Sequence, residues 1–173
     1  MGLLIKEDPL SFFDKDNVMD CFYTDGLTFS CQPNCQYCCA VEPGYVFLSQ
    51  YDLDRLTLFT QTSLHEFITL YCVRVPMGGA SYISLKEKKN HDCIFLTSTG
   101  CGVYTHRPVQ CATYPFWSTV LESKKTWEDE KEWCPGIGKG EIHTREEINE
   151  EINKRISHPA AIYEEICKNV AKK

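Results

Sequence analysis

The stretch Ser30-Cys31-Gln32-Pro33-Asn34-Cys35-Gln36-Tyr37-Cys38-Cys39 places four cysteines within nine residues. No packing requirement demands sulfur at that density. Thiolates three and four residues apart suit a soft or borderline metal: zinc, iron, or an iron–sulfur cluster. Read as a helix over residues 33–39, with Pro33 in the first turn, the pattern puts Cys31, Cys35, Cys38 and Cys39 on one face. Cys38 and Cys39 then stand about 100° apart, which predicts that they serve different sites or well-separated atoms of one cluster.

Around this segment the chain is ordinary. Its 173 residues are 43% hydrophobic and 24% charged, which fits one domain spanning residues 1–173 with a real core. The net charge of −6, with no basic block, speaks against nucleic acid. No stretch reaches membrane-spanning length and residues 1–9 lack a secretory apolar run, so the expectation is a cytoplasmic protein without a membrane. Cysteine is the outlier, at 11 residues. A disulfide framework is the competing use of so much sulfur. An odd count and two adjacent cysteines fit it poorly.

The pass along the chain predicts a hairpin of 18–24 with 27–30 through Asp25-Gly26. A helical hairpin follows, starting at Ser49 and at Thr62-Ser63. Short strands are expected at 82–85 and 93–96, and a hairpin of 119–122 with 125–127. The Thr144/Glu147 capping box opens an amphipathic helix carrying Ile148, Ile152 and Ile156, continued past Pro159 by Ile162, Ile166 and Val170. The expected fold is therefore α+β: a small irregular metal-stabilised domain with short antiparallel hairpins, several helices and a C-terminal amphipathic helix. Its metal core covers about residues 29–136 and its helical tail about 144–173. The tail stripe packs on the domain or serves as a dimer seam.

Four more cysteines, Cys93, Cys101, Cys111 and Cys134, lie in turn-rich, proline-punctuated sequence, where backbone N–H groups can support thiolate ligands. Cys111 falls within Tyr104-Thr-His-Arg107-Pro108-Val-Gln-Cys111-Ala-Thr-Tyr114-Pro115-Phe116, and Cys134 precedes Pro135-Gly136. The run Cys-x₃-Cys-x₂-Cys-Cys, the Arg-Pro-x₂-Cys-x₂-Tyr-Pro-Phe segment and the late Cys-Pro-Gly together resemble the CxxxCxxCC zinc- or iron-chelating family, the YkgJ-like cysteine-cluster proteins, over roughly residues 29–136. Ala112 departs from the basic residue many members carry there.

The resemblance implies eight ligands: Cys31, Cys35, Cys38, Cys39, Cys93, Cys101, Cys111 and Cys134. It implies zinc or iron as cofactor, including a [4Fe–4S] cluster. A flagellin lysine N-methylase belongs to the same family, so an iron–sulfur-dependent protein-modifying enzyme acting on a protein substrate is one implied activity. An interaction module with purely structural metals is another. Cys31-x₃-Cys35-x₂-Cys38 is also the spacing of radical S-adenosylmethionine enzymes, but the repeated βα units of their barrel are missing here.

Two tetrathiolate sites would concentrate negative charge. Arg107, four residues before Cys111, is the expected cofactor-binding counterweight. Cys21, Cys72 and Cys167 read as buried or incidental thiols, and His91 and His106 as hydrogen-bonding residues. Tyr114 to Trp117 are expected to pack over the metal core.

Overall fold

The computed structural model describes residues 21–40 and 43–170. Three two-stranded antiparallel sheets and seven α-helices are present among those residues. The α+β expectation, with short strand pairs and no large sheet, is met.

The segment after the cysteine run opens with Ser49 as N-cap of α2 (Gln50–Thr60). Ser63 caps α3 (Leu64–Tyr71) in the same way, each with a complete capping box. The apolar stripe of α2, Leu53 and Leu56, is fully buried and meets Phe67 of α3. Past α3, where Pro76-Met77-Gly78-Gly79 reads in the sequence as a helix break, the chain forms a strand pair. It runs as β2 (Cys72–Met77), turns at Gly78-Gly79 and returns as β3 (Ala80–Leu85) in full register. Both turn glycines have positive φ, the conformation such a tight reversal needs. The expected strand at 82–85 exists, but its partner is 72–77 rather than 93–96. Residues 93–96 contribute only a bridge, Glu87 to Cys93, and the start of β4 (Leu96–Thr97), which pairs with β5 (Gly100–Cys101).

The hairpin predicted around Asp25-Gly26 is replaced by a distant pairing, with residues 18–20 lying outside the described residues. β1 (Leu27–Phe29) pairs with β6 (Glu141–His143). His143 Nε2 donates to the Phe29 carbonyl at 3.0 Å. The cysteine helix is also shorter than expected. Pro33-Asn34 form a turn closed by Cys35 N–H to Gln32 carbonyl, 3.1 Å, with Asn34 at φ 61°. Proline second and a positive-φ asparagine third is the signature of a type II turn, and it prevents a helix from starting at 33. Helix α1 covers only Tyr37–Ala40. Residues 124–127 are helical as well, not a strand: Ser123 and Thr126 cap α5 (Lys124–Asp129) reciprocally, and Trp127 is buried.

The interior is divided in two. One core gathers Leu48, Leu53, Leu56, Phe67, Ile83 and Leu85 with Val103. The other gathers Tyr23, Phe116, Val120, Trp127 and Ile137. The C-terminal helices serve one each. In α6 (Arg145–Ser157), Ile148 and Ile152 are buried in the second core. In α7 (Tyr163–Val170), Ile166 is buried in the first. α7 is further held by the Arg74–Glu164 ion pair. The tail stripe is thus used within the chain, with Ile156 left 40% exposed. No helix among the described residues is long and apolar enough to cross a membrane.

Candidate metal centre

The quoted cysteine segment runs between the two cores, and each of its ends is tied to a different one. At its start, the Ser30 N–H donates to the Gly136 carbonyl at 3.2 Å, and Gly138 N–H donates to Thr28 at 2.7 Å. Gly136 has to be glycine. A Cβ there would lie 2.3 Å from the Ser30 carbonyl oxygen. This close approach brings Cys134, a buried member of the second core, to the cysteine segment, where Cys35 and Cys38 are its charged neighbours. At the segment's end, the Cys39 carbonyl accepts from Cys93 N–H at 2.7 Å. Cys93 and Cys101 pack on the first core and are drawn together by the β4–β5 turn, with Leu96 N–H donating to the Cys93 carbonyl at 2.9 Å.

Cys111 sits on α4 (Val109–Ala112), a one-turn helix fixed from two sides. The Asp52 carboxylate, 1% exposed, accepts from Ser49 N–H and Oγ through one oxygen. Its other oxygen accepts from Val109 N–H at 2.8 Å. Gln110 donates to the Tyr45 carbonyl at 2.8 Å, while its Oε1 accepts from Phe47 N–H at 3.0 Å and from Arg155 at 3.2 Å. In the sequence Ser49 reads as an N-cap followed by Asp52 as acidic first-turn support of α2, and Gln110 has no evident role. The Ser49-x-x-Asp52 box was visible, but the second oxygen's distant partner was not.

The electrostatics run across both ends of the segment, with Cys38 acting on thiols at each. Cys38 and Cys39 sulfurs lie 3.7 Å apart. The Cys39 thiol donating to Cys38, aided by Arg107, brings Cys38 down to about 7, and the same bond drives Cys39 up. Burial followed by the charges of Cys38, Cys93 and Cys101 pushes Cys111 up. Burial also raises Cys93, with Cys101 among its neighbours. Cys31, exposed as a residue, is raised by partial desolvation of its thiol and by Cys38 and Cys35, and Cys134 by burial with Cys35 and Cys38 nearby. All eight expected cysteines fall in this mutually interacting set. Cys21 instead neighbours Tyr23, Cys72 is buried near Lys86, and exposed Cys167 neighbours Tyr163.

The Arg107 guanidinium lies 4.0 Å over the Tyr104 ring, and its Nε donates to the Tyr104 carbonyl. From there it acts on Cys31, Cys38 and Cys111. Arg55 of α2, unremarked in the sequence, holds the same turn by donating to the Thr105 and Arg107 carbonyls. His106 stacks on Phe59 at 4.5 Å and His91 meets Glu87, as hydrogen-bonding or packing residues do. Phe116 stacks on Trp127 inside the second core, and Tyr114 donates to Glu130 at 2.6 Å.

Residues 30–135 match the family CxxCxxCC, described as "Putative zinc- or iron-chelating domain". The chain belongs to this family. Membership brings with it the coarse function, chelation of zinc or iron. A protein of Methanocaldococcus jannaschii, "Uncharacterized protein MJ0939", is 25% identical over 150 residues, covering 83% of this chain and 49% of that protein. The chain thus spans about half the length of this curated relative. No solved structure matches.

The donor chemistry of this CxxCxxCC domain fits such an ion. Thiolates are preferred ligands of zinc and iron, and turn backbones can support them. Among the described residues no three cysteine, histidine or acidic side chains stand close enough to hold one ion. A cleft of about 490 Å³ lies against one end of the cluster, lined by Gln32, Asn34, Cys35, Tyr37, Pro135 and Lys139 among others.

Proposed function

We propose that the protein is a cytoplasmic metal-binding protein that holds zinc or iron, the latter as ions or an iron–sulfur cluster, through Cys31, Cys35, Cys38, Cys39, Cys93, Cys101, Cys111 and Cys134. The observation that carries this reading is convergence. Eight thiols from five separate parts of the chain interact with one another, while Cys21, Cys72 and Cys167 do not share their neighbours. Arg107 supplies positive charge against the thiolates. Each four-thiolate centre would carry about −2 with a divalent ion, and a guanidinium fixed over Tyr104 offsets part of it at no cost in side-chain mobility on binding.

A second reading takes its support from the cleft beside Cys35. An iron–sulfur-dependent protein-modifying enzyme needs solvent access at its centre, and Tyr37 and Lys139 stand at that opening. If the ions only hold turns together, the protein is an interaction module instead.

Purification without oxygen, followed by assay of zinc, iron and acid-labile sulfide, separates these readings. Iron with sulfide and a brown colour supports the cluster enzyme. Colourless protein with zinc supports a structural centre. Protein free of metal with blocked thiols contradicts chelation altogether.

A further inference from the structure

We infer that the eight thiols divide into two four-thiolate centres, Cys31/Cys35/Cys38/Cys134 and Cys39/Cys93/Cys101/Cys111, which meet at the Cys38–Cys39 peptide. This assignment rests on the chelation reading above and specifies it. Backbone geometry supplies the division. Ser30 is hydrogen-bonded to Gly136, a bridge joins Phe29 to Ile137, and one cleft is lined by both Cys35 and Pro135. Those contacts fasten Cys31 and Cys35 to the Cys134 turn. On the other side, Cys39 is bonded through its carbonyl to Cys93, which the β4–β5 turn joins to Cys101.

The remaining assignments follow from crowding and number. Cys39 has Cys93 and Cys111 among its charged neighbours and Cys111 has Cys93 and Cys101, which links these four, although Cys38 acts on Cys93 and Cys111 as well. Cys38 acts on thiols of both sets, and number gives it the fourth place beside Cys31, Cys35 and Cys134. Adjacent residues on α1 point their side chains about 100° apart, so one residue can face each centre while their sulfurs stay 3.7 Å apart. Each centre also draws on a different core: Cys134 on the second, Cys93 and Cys101 on the first. Loading both therefore clamps the two halves of the molecule onto one short segment.

The test is a Co²⁺ titration of the metal-stripped protein under reducing conditions, read by thiolate-to-cobalt absorption and by native mass spectrometry. The wild type should bind two ions. Cys35→Ser and Cys134→Ser should each lose one, and the two together should lose no more than one. Cys101→Ser should also lose one, and Cys35→Ser combined with Cys101→Ser should lose both. Retention of one ion by that last pair overturns the division, as does loss of both ions from a single variant whose far-UV circular dichroism is unchanged. Should the variants unfold, wild-type protein given one equivalent of Co²⁺ is alkylated and mapped. Protection of either set as a block supports the division, and protection of a mixed set overturns it. A wild type that binds no cobalt contradicts chelation itself, which is a different result from any of these.

Discussion

The two halves of the molecule treat their cysteines differently. Around the first core, Cys93, Cys101 and Cys111 are all half-buried, and the first two pack against the core. Around the second core, Cys31 is exposed and Cys35 lines a cleft, although Cys134 is buried. Enclosure favours a slowly exchanging centre, whereas openness favours exchange or contact with a partner. On the two-centre proposal, one cysteine-rich segment would join a half-buried site to a more accessible one.

The largest expected effect comes from removing metal. A strong chelator should strip the open half first and the enclosed half more slowly, giving two kinetic phases by metal-indicator absorbance. A single phase would erase the contrast. Complete removal should lower the unfolding free energy by several kcal/mol, since structural metal affinity is folding energy in small domains. Thermal unfolding with and without chelator measures this.

Gly136→Ala comes next. The added Cβ meets a backbone carbonyl at 2.3 Å, and overpacking of this kind costs about 1–3 kcal/mol. Metal should be lost from the open half alone, leaving near half occupancy by metal analysis. Asp52→Ala acts on the opposite side. It strands the Val109 and Ser49 N–H groups in the interior, with an expected loss of about 1–3 kcal/mol and weaker metal retention in the enclosed half. Denaturant melts paired with metal analysis of the chelated intermediate read both. Arg107→Ala is expected to be the mildest for folding, with lower metal affinity felt in both halves because Arg107 acts on thiols of each. Full metal content and stability in that variant would remove its assigned role.

Much of the site was legible because its information is local. The cysteine spacings, the helix starts at Ser49 and Ser63, the Thr144 capping box and the tail isoleucines are all read within a few residues, and the helices start where expected. Long-range pairing was not. Nothing near Leu27 names Glu141–His143 as its partner, and the nearby Asp25-Gly26 offered a cheaper local alternative that the fold does not use. Cys72–Met77 contains Pro76 and reads as a break, yet that proline occupies the β2 strand of an isolated pair, where a missing N–H is tolerated. Likewise Pro33 suggested a helix start, whereas the positive φ of Asn34 makes it a turn. That turn takes Cys31 and Cys35 off the expected helix face, with Cys35 near Cys134.

The central claim is that eight thiols, and not the other three, hold metal. Its most direct test is alkylation of the native protein with an isotopically light reagent, then of the chelated protein with a heavy one, mapped by peptide mass spectrometry. Cys31, Cys35, Cys38, Cys39, Cys93, Cys101, Cys111 and Cys134 should all shift from protected to reactive on chelation, while Cys167 reacts in both states. If those eight react equally before and after chelation, or are found linked as disulfides, the account is contradicted.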